Sequence, residues 1–169
     1  MAEKRRSLLV VDDEPDVLEQ IGELLEGSYT IAFAKSFDQA VAAFDKAVPD
    51  AAILDIMGVN GEELLSRFRG KTPCIMLTAH ALTPVHLKRT ATAGARLYLP
   101  KDELVRLPEY VERVLGGPRE SHWRWLMGRL NFARWFGSAW TKDDEKWLFD
   151  LKLEDIDKDL KSGYGSDRE

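Results

Sequence analysis

Short apolar runs alternate with amphipathic stretches five times along the first 116 residues. The runs lie at 7–11, 29–34, 51–54, 74–77 and 96–99, each about the length of a strand buried in a sheet. Between them the apolar positions take a helical period. Val17, Leu18, Ile21, Leu24 and Leu25 share one face, with Pro15 suited to a first helical turn and Gly27 to a C-cap. Ser36 stands as N-cap before Phe37, Ala40, Val41 and Phe44, and a shorter stripe follows at Leu64, Leu65 and Phe68. A fourth helix opens at Thr83-Pro84 and closes at Gly94 with the weakest stripe of the five. The fifth is expected from Pro108 through Tyr110, Val111, Val114 and Leu115.

Strand then helix, repeated five times, predicts a parallel sheet with helices on both faces. Such sheets bind ligands beyond the carboxyl ends of their strands, so chemistry is to be sought there. After Gly116-Gly117-Pro118, a helix stop followed by a residue that cannot continue one, the pattern changes. All five tryptophans, Trp123, Trp125, Trp135, Trp140 and Trp147, lie beyond residue 120.

Composition narrows the classes. With 169 residues, 44% hydrophobic and 31% charged, the chain can bury a core without staples. A single cysteine, Cys74, excludes an internal disulfide or a cysteine-rich zinc site. No signal-peptide core or membrane span is visible, and a cytoplasmic location is expected. Residues 1–116 hold 14 basic and 18 acidic side chains and the remainder 10 and 11. Neither part has the basic footprint of a nucleic-acid binder.

The predicted strand ends carry Asp12 and Asp13 after the first, Asp55 after the third, Thr78 after the fourth and Lys101 after the fifth. Three carboxylates on one rim raise each other's pKa unless a cation sits among them. All-oxygen ligands favour Mg²⁺ or Mn²⁺ over zinc. One carboxylate can then act as nucleophile toward a phosphoryl group, with Thr78 and Lys101 as donors to its oxygens. Taken alone, Asp12-Asp13 also suits an N-cap pair, and Tyr98 suits an ordinary core or surface aromatic. His80 and His86 read as solvated loop and helix residues.

Val11-Asp12-Asp13-Glu14-Pro15, Leu54-Asp55, Leu77-Thr78-Ala79 and Tyr98-Leu99-Pro100-Lys101 together resemble the receiver domain of two-component response regulators. The resemblance covers about residues 7–115. It implies a flavodoxin-like, doubly wound (βα)5 α/β fold with a five-stranded parallel sheet, as a receiver domain over 1–117. It implies Asp55 as phosphoacceptor, with Asp12, Asp13, Asp55 and the Met57 carbonyl holding Mg²⁺. Thr78 and Lys101 would contact the phosphoryl group, Thr78 and Tyr98 would form a switch pair, and the phosphate would come from a sensor histidine kinase or phosphotransfer protein. A switch of this kind catalyses only its own phosphoryl transfer and dephosphorylation. The loop Ile56-Met57-Gly58-Val59-Asn60-Gly61 departs from the family pattern in being shorter and lacking a proline.

Residues 118–169 are expected to form a Trp-rich helical extension. Ser121 can cap a helix through Phe136, and Thr141 with Asp144 suits a capping box for another through about Leu160. Three roles stay open for it: a hairpin packed on the first domain, a surface for a downstream protein or self-association, or contact with a membrane surface through aromatics between arginines. The last is the least expected. Nothing there resembles a helix-turn-helix, so no DNA-binding output is expected. The expected function is a phosphorylation-controlled switch. The alternatives are a degenerate receiver that docks partners independently of phosphorylation through its aromatic tail, and, more distantly, a metal-dependent phosphatase.

Overall fold

A computed structural model describes residues 4–79, 83–116 and 141–150. Its elements run β1 (Ser7–Val11), α1 (Pro15–Leu24), β2 (Thr30–Ala34), α2 (Phe37–Lys46), β3 (Ala51–Asp55), α3 (Gly61–Phe68), β4 (Cys74–Thr78), α4 (Pro84–Thr92) and β5 (Leu97–Pro100). A 3-10 segment over Lys101–Arg106, α5 (Leu107–Gly116) and α6 (Lys142–Asp150) follow. The five strands form one parallel sheet in the order β2-β1-β3-β4-β5. This is the flavodoxin-like doubly wound arrangement. The order reverses between β1 and β3, so the carboxyl ends of those two strands border the crevice where such folds bind ligands.

The helices segregate as the apolar stripes require. α1 meets α5, which lies on β3, β4 and β5, while α2, α3 and α4 pack in series on the opposite face. Phe44 of α2 and Phe68 of α3 stack at 4.0 Å between ring centroids, 7° from parallel. β3 and β4 are buried along their whole length, which is why they read as continuous apolar runs. Cys74 lies in that core, and burial pushes its thiol pKa up to about 12.

The structure corrects the expected elements at several points. The run at 29–34 is not a buried strand: β2 is an edge, and Phe33 is 46% exposed. Gly27 does not cap α1 directly, because the helix ends at Leu24 and Gly27 takes φ 76° in the turn beyond. α5 begins at Leu107, after the 3-10 segment. Ser36 and Thr83 cap α2 and α4 as expected, accepting from the Gln39 and His86 amides. The expected helix from Ser121 and the proposed boundary at 117 fall outside the described residues. The capping box of Thr141 and Asp144 is present at the start of α6.

Candidate functional site

The sheet register sets the site. Val11 pairs with Leu54, so Asp12, the residue after β1, and Asp55, the last of β3, leave neighbouring strands at the same height. Thr78 closes β4 opposite Pro100 of β5, which brings Lys101 to the same rim. Asp12 is fully buried, Asp55 and Thr78 are nearly so, and Asp13 faces solvent. Met57 projects its side chain outward, 70% exposed, which leaves only its main chain to serve the site.

Lys101 is the one ammonium paired with this rim among the described residues. Its Nζ lies 2.8 Å from Asp12 Oδ2, 2.7 Å from Glu14 Oε1 and 3.5 Å from Asp55 Oδ1. Asp12 Oδ1 accepts from the Glu14 amide at 2.9 Å. Neither aspartate caps α1: Glu14 is the N-cap residue and makes no side-chain cap bond, so the N-cap alternative for Asp12-Asp13 is not realised. Asp12 Oδ2 is buried without a well-directed hydrogen bond, faced by the Lys101 ammonium.

Charge is unevenly balanced here. Burial raises the Asp12 carboxyl above its ordinary value, and the Asp55 charge adds to this against the nearby Lys101 ammonium and the Glu14 amide. Burial also works against the Lys101 ammonium, but its close ion pair with Asp12, its hydrogen bond to Glu14 and the Asp55 charge prevail and raise its pKa above the usual lysine range. Asp12, Asp13, Glu14 and Asp55 share a rim that holds one ammonium, which leaves room for a further cation.

Geometry agrees. Asp12, Asp13 and Asp55 each offer a carboxylate oxygen within 4.8 Å of the others, an all-oxygen set that suits a small hard ion such as Mg²⁺. Gly58 keeps the space between them open. Its amide donates to Asp55 Oδ2 at 2.9 Å, whereas a Cβ there would overlap Asp13 Oδ1 and stand 2.5 Å from Asp55 Oδ2. Gly61, first residue of α3, passes so close beneath that a Cβ would overlap the Asp55 carbonyl oxygen. The loop after β3 thus carries two glycines in close contact with Asp55.

Tyr98 is fully buried on β5. Its hydroxyl is hydrogen-bonded to Thr90 Oγ1 of α4 and lies 3.5 Å from the Leu87 carbonyl. Burial pushes its pKa upward. His86 is not simply solvated: its Nδ1 lies 2.6 Å from Glu62 Oε1 of α3, with Arg89 Nε 3.5 Å from the other oxygen. His80 lies outside the described residues. Glu14, Gly58, Gly61 and Thr90 were not singled out as site residues from sequence. A glycine in an unusually short loop beside Asp55 was the one signal available.

Comparisons with known proteins agree with this geometry. The chain matches the response regulator receiver domain family over residues 8–112. It is 36% identical over 121 residues to the transcriptional regulatory protein TrcR of Mycobacterium tuberculosis, covering 68% of this chain and 46% of TrcR. It is 31% identical over 126 residues to the DNA-binding response regulator MtrA of Mycolicibacterium smegmatis, covering 69% and 55%. The chain therefore spans about half the length of the curated relatives it matches. Among solved structures, a response regulator from Chloroflexus aurantiacus superposes with a TM-score of 0.57 at 32% identity, covering 66% of this chain and 98% of that one. The chemotaxis response regulator CheY4 of Vibrio cholerae shares the fold, with a TM-score of 0.58 at 22% identity, covering 66% and 100%. No helix among the described residues is long and apolar enough to cross a membrane. The strand-end carboxylates, the sheet order and the match over more than half its length place this chain in the response regulator receiver domain family.

Proposed function

We propose that this protein is a phosphorylation-controlled signalling switch in which Asp55 accepts a phosphoryl group from a phosphohistidine of a sensor kinase or phosphotransfer protein in the cytoplasm. An Asp55 carboxylate oxygen attacks phosphorus, the P–N bond breaks, and the imidazole leaves with the electron pair. The observation that carries this reading is the clustering of Asp12, Asp13 and Asp55 within 4.8 Å beside Lys101. Asp12, Asp13, Asp55 and the Met57 carbonyl are the groups to hold Mg²⁺, which when bound neutralises the crowded carboxylates and polarises phosphoryl oxygens. The Gly58 amide holds Asp55 Oδ2, which orients the carboxylate. Lys101, shared between Asp12 and Glu14 before transfer, is placed to exchange Glu14 for a phosphoryl oxygen. Thr78 offers its hydroxyl to another, and with Tyr98 it forms the switch pair.

Ten basic against eleven acidic residues after 116, together with all five tryptophans, support a protein-facing extension over 118–169 and no DNA-binding output in it. The test is to incubate the protein with acetyl phosphate and Mg²⁺ and weigh it intact. A gain of one phosphoryl group, abolished in Asp55→Asn and without Mg²⁺, is expected. No gain in the unmodified chain removes the switch and leaves a docking scaffold.

A further inference from the structure

α6 meets α4 through Lys88, among the described residues. Lys88 Nζ donates to Asp144 Oδ1 at 2.7 Å and stands 5.2 Å from the Trp147 ring centroid, so the same ammonium forms an ion pair and a cation–π contact. Trp147 packs half-buried against the core. Asp144 is also used twice. Its Oδ2 accepts from the Thr141 amide at 3.0 Å and from the Thr141 hydroxyl at 2.7 Å, while the Asp144 amide donates to Thr141 Oγ1 at 3.2 Å. These bonds, with that from Lys88 foremost, lower the Asp144 carboxyl to about 2.

Capping and docking therefore share one carboxylate. Because Asp144 both closes the capping box at the start of α6 and meets Lys88, folding of α6 and its seating on α4 support each other. Because both helices belong to one chain, the contact is intramolecular and needs less intrinsic affinity than one between two separate molecules. α4 itself is placed between the rim and this joint. Its N-cap Thr83 stands five residues after Thr78 in the sequence, and its Thr90 is tied to Tyr98 of β5, with Lys88 between these two positions.

We propose that residues 141–150 are an intramolecular ligand of α4, seated on its outer face through Lys88, and that phosphorylation of Asp55 releases them. The release rests on the phosphorylation reading above; the seating does not. The outer face of α4 is then closed to other proteins in the unmodified state and opened by the phosphoryl group.

The experiment uses the full chain. Emission of Trp147, isolated by difference against Trp147→Phe, is quenched with acrylamide. Lys88→Met keeps the stem and removes the charge on the solvent side of α4, and is expected to raise quenching about twofold or more; Lys88→Arg is expected to keep Trp147 shielded. Unchanged shielding in Lys88→Met overturns the seating. Shielding that depends on protein concentration makes a second copy the occupant and overturns the intramolecular form. The same measurement is repeated after acetyl phosphate and Mg²⁺ with the intact mass read alongside. A mass gain with newly exposed Trp147 supports release, and a mass gain with Trp147 still shielded overturns it. No mass gain overturns the phosphorylation reading and release with it, while the Lys88 variants still decide the seating.

Discussion

Two lysines organise this molecule in opposite ways. Lys101, with a side chain 12% exposed, is surrounded by Asp12, Glu14 and Asp55, all brought to it by the sheet and the turn after β1. Lys88, 35% exposed, meets the single carboxylate of Asp144 from a segment 56 residues away. At the rim, acid outnumbers base and the backbone fixes every partner, so the site is short of positive charge but not of order. Between Lys88 and Asp144 one charge meets one, and order depends on the contact itself. A binding site for a cation and a releasable joint thus differ in which quantity is scarce.

The largest expected effect would break the rim through its backbone. Gly61→Ala sets a Cβ on the Asp55 carbonyl oxygen, which cannot turn away as a side chain can, and should lower stability by about 3 kcal/mol. Urea denaturation reads this as a lower midpoint. Gly58→Ala sharpens the contrast, because its Cβ meets the Asp13 and Asp55 carboxylates. Affinity for Mg²⁺ should fall about tenfold, roughly 1.4 kcal/mol, in a thermal-shift titration, with Trp147 shielding unchanged. Thr90→Val cuts the link between the two regions. It removes the hydroxyl that meets Tyr98 and should cost about 1 kcal/mol, and the amides of α4 should exchange faster with deuterium.

The smallest effects come from salt and acid, and they separate the two lysines by sign. Raising salt from about 0.15 M to about 1 M shortens the screening length from ~8 to ~3 Å, which should partly unshield Trp147 and leave the melting midpoint nearly unchanged. Asp144 has a lowered pKa, so its contribution is complete above the unfolded value of 3.8 and is lost as pH falls toward about 2. Asp12 has a raised pKa, so its ionised form opposes folding near neutrality, and acidification through that raised value relieves the strain of charge. Without Mg²⁺, a descent from about pH 6 should first hold or slightly raise the midpoint, and only below about pH 4 release Trp147. A midpoint that falls from the outset would assign Asp12 the wrong sign.

The sheet and the rim were legible because a parallel arrangement sends every strand's carboxyl end to one edge, so Asp12, Asp55, Thr78 and Lys101 could be collected from strand boundaries alone. The cap at Ser36 and the box at Thr141 and Asp144 were legible because their partners lie three residues apart. Partners at long range were not. His86 read as solvated because Glu62 sits on another helix, and Lys88 carries no signal that Asp144 will reach it. β2 misled for a related reason: Ile31 and Phe33 are as apolar as residues of a central strand, and only the strand order puts them at an edge. Gly58 and Gly61 act through space they leave empty, which becomes visible only once Asp13 and Asp55 are in position.

The thiol of Cys74 has a practical consequence. It is fully enclosed in β4 and remains protonated at neutral pH, and the thiolate is the reactive form toward maleimides and iodoacetamides. No other cysteine exists in the chain. The native protein is therefore silent to such reagents while folded, and a cysteine introduced at an exposed position such as Val48 or Val85 would be labelled alone. Dyes or spin labels can be attached pairwise without first deleting anything from the core, and reactivity at Cys74 itself becomes a clock for global unfolding.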